Sequence, residues 1–441
     1  MTKIVREGKR VGLYKNNRRI YVYAFLFSAV GINYIDRIAL SIAAKPIATS
    51  YHLNPVQMGY LFSAFLWTYA LAAVPWGLTV DWLGTKISSA IGIAWWSAAT
   101  VATALFGRGF TSILVTRLAM GLGEASTYPS GERVLREWIP GHQRGLATII
   151  FNLGGYLGPA IGSLFMGIIA AHYGWRMGFV AVGILGFIWV ALWLFWFNKP
   201  EASRFISETE RQYILSTRGQ AQSTQGASPF RALLRSKSVW GIAITQGGII
   251  FTFYMLLSWM PSYLQTTRHL TLQHTGLYSA IPYAMAAPCS FVVGYISDFI
   301  LRNRNVLNGE RRYIVTFLLI CSTMIYFVPH VEGLDSVLVM FIISMCCIAS
   351  AAGLNLALLG DLLKNHEDAG RATGIQLAVA TVIGLLSPII TGYIVKDMGT
   401  YNAAFTLDAV VMAIAALSCI TLCRFPIPGQ GALGAALDQH R

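Results

Sequence analysis

Long apolar segments constrain this chain more than any other feature. A helix needs about 20 apolar residues to cross a bilayer, and about twelve such segments follow one another along the 441 residues. Only 12% of the residues are charged, whereas a soluble domain carries about 25%. We therefore predict an all-α, multi-pass membrane protein. The segments lie near residues 20–42, 57–80, 87–106, 110–131, 146–170, 177–197, 239–264, 275–299, 313–330, 336–360, 372–395 and 402–423.

The basic residues predict the orientation of these helices. If both termini are cytoplasmic, the cytoplasmic segments hold 26 of the 33 Lys and Arg residues, which is the positive-inside pattern. We therefore expect an inner-membrane protein with both termini inside. The net charge of +14 then reflects how the chain is oriented in the membrane. Membrane lipid is an expected partner, and nucleic acid is not. Nothing in the sequence indicates an oligomer, so a monomer is predicted.

A polar stretch divides the predicted helices six and six, and it has room for a short surface helix over 207–216. From the amino terminus we predict a basic cytoplasmic tail 1–19, an N-terminal six-helix bundle 20–197, a cytoplasmic linker 198–238, a C-terminal six-helix bundle 239–424 and a cytoplasmic tail 425–441.

The two halves repeat the same motifs. Gly77-x-x-x-Asp81 after helix 2 returns as Gly294-x-x-x-Asp298 after helix 8. Arg144 and Arg371 each precede a helix that carries a proline followed by a glycine. Repeats in the same orientation indicate two pseudo-symmetric bundles with a site near the midplane between them.

Ionisable residues inside the predicted helices point to the function. Asp36 and Arg37 lie in an otherwise uncharged run, at a cost of roughly 2.5–3.5 kcal/mol per charge on insertion scales. Arg117 and Glu124 are seven residues apart on predicted helix 4, so they share a helix face. Such residues normally face a protein interior or an aqueous cavity and handle ions or charged substrates.

Each of these groups has a chemical role that fits anion transport. The planar fork of Arg37 suits a carboxylate. Asp36 and Glu124 are carboxyls that can take up and release protons as their surroundings change, and Arg117 is a candidate partner for one of them. The alternative is that all four form fixed ion pairs between helices. That alternative is weaker for Asp36, Arg37 and Glu124 than for Arg117.

Several motifs resemble a known family. The loop pattern from Gly77 to Lys86 and the run Arg117-x-x-x-Gly121-x-Gly123-Glu124 resemble the major facilitator superfamily. The runs Asn33-Tyr-Ile-Asp-Arg, Ser63-Ala-Phe-x-Trp-x-Tyr69, Trp138-Ile-Pro-x-x-x-Arg144 and Ser258-Trp-x-Pro-x-Tyr-Leu264 resemble its anion:cation symporters. The resemblance implies that Asp36 and Glu124 carry protons and that Arg37 binds the anion. It also implies a gating network around Asp81.

The remaining site residues are predicted from polar and aromatic side chains on the same helices. The resemblance places Tyr69 against the substrate. This chain departs from the galactonate carriers at two positions, since those carriers have glutamine and asparagine where this chain has Gly155 and Leu377. Predicted substrate-binding residues are Arg37, Tyr34, Tyr69, Asn152, Tyr156, Tyr254, Asn355 and Gln376, and predicted gating residues are Asp81, Lys86, Arg144, Asp298 and Arg371.

Taken together, the sequence predicts a proton-coupled symporter of an organic anion, a sugar acid or related carboxylate, working by alternating access. No enzyme motif, cofactor motif or metal-ligand spacing is present in the sequence. An anion antiporter or drug exporter of the same fold is the alternative, although Arg37 argues against a cationic drug. A channel or a non-transporting sensor is a remote alternative, which saturable uptake against a gradient would exclude.

Overall fold

The computed structural model describes residues 19–218, 230–304, 306–365 and 368–427, and it is helical almost throughout. The first set of helices is α1 Arg19–Ile42, α2 Ala44–Tyr51, α3 Pro55–Leu83, α4 Thr85–Phe106, α5 Phe110–Glu124, α6 Thr127–Trp138, α7 Arg144–Tyr173 and α8 Trp175–Trp196. Two short helices follow, α9 Glu208–Thr217 and α10 Phe230–Arg235. The second set is α11 Lys237–Thr266, α12 Leu272–Leu301, α13 Arg311–Ser322, α14 Leu334–Leu362, α15 Ala369–Met398 and α16 Asn402–Leu422.

The predicted fold class is confirmed. Within the described residues, eleven stretches are long and apolar enough to cross a membrane. The predicted helix 4 accounts for the twelfth, and it consists of α5 and α6 with an interruption at Ala125–Ser126. It extends to Trp138 rather than ending at 131 as predicted. The short surface helix of the linker lies at Glu208–Thr217, one residue from its predicted bounds.

Two glycines just before the interruption allow predicted helix 4 to pack closely against its neighbours. A Cβ added at Gly121 would lie 2.1 Å from the carbonyl oxygen of Phe65 in α3, and one at Gly123 would lie 2.8 Å from that of Gly92 in α4. Only glycine permits this approach of backbones. Glu124 ends α5 at the break, so its side chain is held in the interior by tightly packed helices.

Helices pack chiefly within each set, for example α1 with α7 and α4 with α8, and α11 with α15 and α16. The exact bundle boundaries stay a prediction. Residues 1–18 of the basic tail, 219–229 of the linker and 428–441 of the C-terminal tail lie outside the described residues. We call the end of the molecule where α3 and α12 finish the linker end, and the end where α1 and α11 finish the far end.

At the far end the two sets are in close contact. A Cβ added at Gly59 would lie 2.5 Å from the Pro388 carbonyl oxygen, and one at Gly167 would lie 2.8 Å from the Gly276 Cα. Lys45 Nζ donates to the Gln265 carbonyl at 3.0 Å. The backbones of the two sets therefore meet directly here, and the far end is sealed.

At the linker end, two networks of charged side chains each lie within one set of helices. Arg133 pairs with Asp81 and with Glu137, all in the first set. Arg311 lies 2.8 Å from Asp298 and 2.7 Å from Asp361, all in the second set. The side chains of Asp81 and Asp298 are 73% and 72% exposed. Neither network bridges the two sets in this state.

Two of the predicted gating residues bond to the connecting segment. Lys86 Nζ donates to Asn198 Oδ1 at 3.0 Å. Arg144 donates to the carbonyl oxygens of Ile139, Arg136 and Arg218. Arg371 lies near the start of α15. Lys86 and Arg144 thus fasten the segment after α8 to the first set, and a gating role for either remains a prediction.

Candidate functional site

Arg37 lies where the two sets of helices meet in the middle of the molecule. Its Nε donates to Glu124 Oε2 at 3.0 Å, and its Nη2 lies 3.0 Å from the same oxygen. Its Nη1 donates to the hydroxyl of Tyr254 at 3.2 Å. Because α1, α5 and α11 supply these residues, one guanidinium connects both sets.

Aromatic rings surround this guanidinium. The Arg37 Cζ lies 4.5 Å from the ring centre of Tyr34, 4.7 Å from that of Phe65 and 5.5 Å from that of Tyr69. A cation over an aromatic face is attracted by the ring quadrupole, most strongly where water is absent. The rings therefore stabilise the charge of Arg37 without occupying its hydrogen-bond donors, of which Nε is bonded to Glu124 and Nη1 to Tyr254.

Asp36 faces a different helix from its neighbour, because adjacent residues on a helix point about 100° apart. The hydroxyl of Thr100 in α4 donates to Asp36 Oδ1 at 2.6 Å. Asp36 Oδ2 has no hydrogen-bond partner among the described residues, although the side chain is fully buried. The sequence did not single out Thr100, since a lone hydroxyl in an apolar helix carries no distinctive signal.

Arg117 is placed differently from the expectation. In this state Glu124 is held by Arg37, while Arg117 Nη1 points at the Met120 sulfur at 3.0 Å. The Arg117 Cζ lies 5.3 Å from the Phe65 ring centre, so both arginines pack on that ring. Arg117 and Glu124 do share a helix face, but they are separated by about 10 Å of helix rise.

The predicted tyrosines belong to a wider aromatic cluster. Its centre is Phe253, whose ring centre is 6.0 Å from that of Tyr34, 6.1 Å from that of Tyr156, 5.7 Å from that of Tyr254 and 6.4 Å from that of Tyr283. Sequence reasoning missed Phe253, because phenylalanine in a membrane helix is not informative by itself. Tyr34, Tyr69, Tyr156 and Tyr254 are thus brought together around Arg37.

Three other predicted substrate residues lie away from Arg37. Asn152 is exposed and donates to the Thr148 carbonyl of its own helix at 2.8 Å. Asn355 and Gln376 each donate to Gln246 Oε1, at 3.0 and 3.2 Å. Gln246 is eight residues before Tyr254 on α11, or about 12 Å nearer the linker end. Gln246, Asn355 and Gln376 therefore form a second polar cluster, separate from the residues around Arg37.

The second set also holds a buried carboxyl. This carboxyl belongs to Asp408, which is not among the predicted site residues. The structure buries it completely between α16 and α11, where the Thr252 hydroxyl donates to its Oδ1 at 2.9 Å. Both sets of helices therefore contain a fully buried carboxyl.

Comparisons with known proteins agree with this architecture. A family model described as Major Facilitator Superfamily matches residues 26–367 and 308–436. The chain belongs to the major facilitator superfamily. A probable galactarate/D-glucarate transporter of Bacillus subtilis is 30% identical over 426 residues, which cover 92% of each chain. A hexuronate transporter of the same organism is 29% identical over 94% of this chain and 96% of the relative.

Solved structures share the fold at lower identity. An inward-facing bacterial homologue of the human lysosomal transporter Spinster has a TM-score of 0.73 at 19% identity, over 92% of this chain and 97% of that chain. A D-xylose–proton symporter has a TM-score of 0.72 at 14% identity, over 92% and 98%. The protein is thus a multi-pass membrane transporter of this superfamily and not an enzyme.

Proposed function

We propose that the protein is a symporter that carries an organic anion together with protons, by alternating access. The anion would be a sugar acid or a related carboxylate, as the names of the relatives indicate for those proteins. The observation that carries this proposal is the Arg37–Glu124 pair, which lies where both sets of helices meet.

The pair gives a physical reason for coupling. Arg37 donates from Nε to Glu124 and its Nη2 lies 3.0 Å from the same oxygen, so a substrate carboxylate that approached this edge of the guanidinium would compete with Glu124. A proton on Glu124 would remove its charge and weaken its hold on Arg37. The anion and the proton would then bind together, because each favours the presence of the other. Asp36, with one partnerless oxygen, is the second candidate proton carrier.

The shape of the molecule supports an assignment of its state. The far end is sealed by backbone contacts, whereas at the linker end the ion-pair networks of Asp81 and Asp298 each lie within one set of helices. If the linker end is cytoplasmic, as the distribution of basic residues favours, this is an inward-open state. We propose that orientation, in the inner membrane, with both termini cytoplasmic.

Transport in proteoliposomes tests the proposal. We expect saturable accumulation of glucarate or another organic anion on an inward-directed pH gradient, and loss of accumulation when a protonophore collapses that gradient. An anion exchanger would behave differently. Uptake that requires an internal anion and ignores the protonophore would overturn proton symport and favour antiport.

A further inference from the structure

We infer that the preferred substrate is an aromatic carboxylate, with its carboxylate on Arg37 and its ring among the aromatic side chains between the two sets of helices. This inference rests on the proposed function, because it names the class of anion that the same site would take.

The wall of the site is aromatic on both sides. Tyr34 on α1 and Tyr156 on α7 meet Phe253 on α11 in edge-on contacts, with ring centres 6.0 and 6.1 Å apart. These three rings are only half-buried, although their contacts with each other place them between the sets and away from lipid. They therefore border open space. Aromatic rings prefer aromatic partners in stacked or edge-on geometry, so this space favours a flat ring.

Gly155 keeps one of these rings accessible. A Cβ added at Gly155 would lie 3.5 and 3.6 Å from two ring carbons of Tyr34, which is ordinary van der Waals contact. A longer side chain would extend over that ring. Glycine at this position thus leaves a surface of Tyr34 free for the substrate, whereas a glutamine there would cover it and add an amide.

Amide side chains near Arg37 are too few to bind every hydroxyl of a sugar acid. Such a substrate carries a hydroxyl on nearly every carbon, and each hydroxyl buried without a partner is costly. Amides are the side chains best suited to bind them, and Gln246, Asn355 and Gln376 are already bonded to one another about 12 Å away along α11. Near Arg37, Asn33 is a buried amide with free bonding capacity. One amide, together with the hydroxyls of Tyr34, Tyr69 and Tyr254, suits a sparsely hydroxylated anion.

Binding and transport separate this inference from the function it rests on. Purified protein in detergent would be titrated with benzoate, with cyclohexanecarboxylate as its saturated counterpart, and with D-galactonate. We expect benzoate to bind roughly tenfold more tightly than either. The same three anions would be tested for pH-driven accumulation in proteoliposomes.

Two variants sharpen the test. Phe253→Leu should weaken benzoate binding roughly tenfold while leaving cyclohexanecarboxylate within about twofold. Gly155→Gln should weaken benzoate and strengthen D-galactonate. Phe299→Leu is the matched control, because Phe299 is an exposed phenylalanine near the end of α12. Each variant is used only after its gel-filtration profile matches the parent.

The outcomes are distinct. Equal affinity for benzoate and cyclohexanecarboxylate would overturn the inference, because ring stacking would then contribute nothing. Accumulation of D-galactonate with no binding of benzoate would overturn it as well, while leaving the proposed symport intact. Tight benzoate binding without accumulation of any of the anions on a pH gradient would instead count against the proposed function and leave the binding class standing.

Discussion

Arg37 is the side chain that connects the separate parts of the candidate site. It holds a carboxylate through two nitrogens, reaches the opposite set of helices through Tyr254, and lies against three aromatic rings. Breaking a buried pair by removing one partner typically costs about 3–5 kcal/mol, because the other charge is left uncompensated. Arg37 and Glu124 therefore depend on each other, and under the proposed function a substrate carboxylate on the same edge of the guanidinium would compete with Glu124.

Arg37→Lys should lose most transport. Lysine keeps the charge, but one ammonium cannot reproduce the fork that reaches Glu124 and Tyr254 together. We expect saturable uptake to fall by roughly tenfold or more in proteoliposomes. Arg108→Lys is the matched control, since the Arg108 side chain is exposed between α4 and α5, away from Arg37. Uptake by Arg37→Lys within twofold of the parent would remove Arg37 from the binding site.

Glu124→Gln should uncouple substrate from protons. Glutamine has the shape and hydrogen bonding of a protonated glutamate but releases no proton, so Arg37 stays available to the anion. We expect the variant to bind substrate and exchange it across the membrane, without accumulating it on a pH gradient. Counterflow and pH-driven uptake would be measured on the same vesicles. Normal pH-driven accumulation would contradict this assignment and make Asp36 the leading proton carrier.

At the scale of the helices, the sequence predicts the length of the segments well but does not predict where a helix is interrupted. Predicted segment 20–42 corresponds to α1 Arg19–Ile42, and 177–197 to α8 Trp175–Trp196, because an apolar run has to be about as long as the membrane is thick. The break at Ala125–Ser126 and the short α2 escaped prediction. Both depend on packing against neighbouring helices, which hydrophobicity does not report.

The same limit applies to the site. The ionisable residues could be picked out because charge is conspicuous in an apolar helix. Their pairing could not. Arg117 was the predicted partner of a buried carboxylate. Instead, Arg37 binds Glu124 and also reaches Tyr254, which is 217 residues away in sequence. Phe253 and Gln246 carry no such signal, and only the fold shows their positions.

Gly167→Ala should weaken the far-end seal. The new Cβ would lie 2.8 Å from the Gly276 Cα and 3.1 Å from the Leu272 carbonyl oxygen, and backbone atoms cannot move aside without separating α7 from α12. We expect a larger population open at the far end, measured as longer distances between spin labels at Ser50 and Gln273. Gly353→Ala is the control, since nothing lies within 4 Å of a Cβ there. Unchanged distances in Gly167→Ala would show that the seal tolerates the methyl group.

The molecule has a sealed far end and a linker end where the networks of Asp81 and Asp298 are each internal to one set of helices. Alternating access requires the two ends to exchange roles around a fixed midplane site. The repeated motifs put equivalent acids at the linker end, Asp81 pairing with Arg133 and Asp298 with Arg311. Both acids are largely exposed here, so in this state each makes a surface ion pair, worth about 0–1 kcal/mol. Their larger contribution would come when the linker end closes and buries them.

Asp81→Asn should therefore shift the conformational balance toward the state seen here. Losing the charge costs little while Asp81 is exposed, but it would remove an interaction from the closed linker end. We expect the ratio of linker-end-open to linker-end-closed molecules to rise about fivefold, or ~1 kcal/mol, measured by spin labels at His142 and Asn303. Glu208→Gln is the control, because its pair with Arg211 lies within α9. Substrate affinity should change only by the fraction that the population shift dictates. Identical label distances in Asp81→Asn and the parent would mean that Asp81 serves the fold of the first set alone.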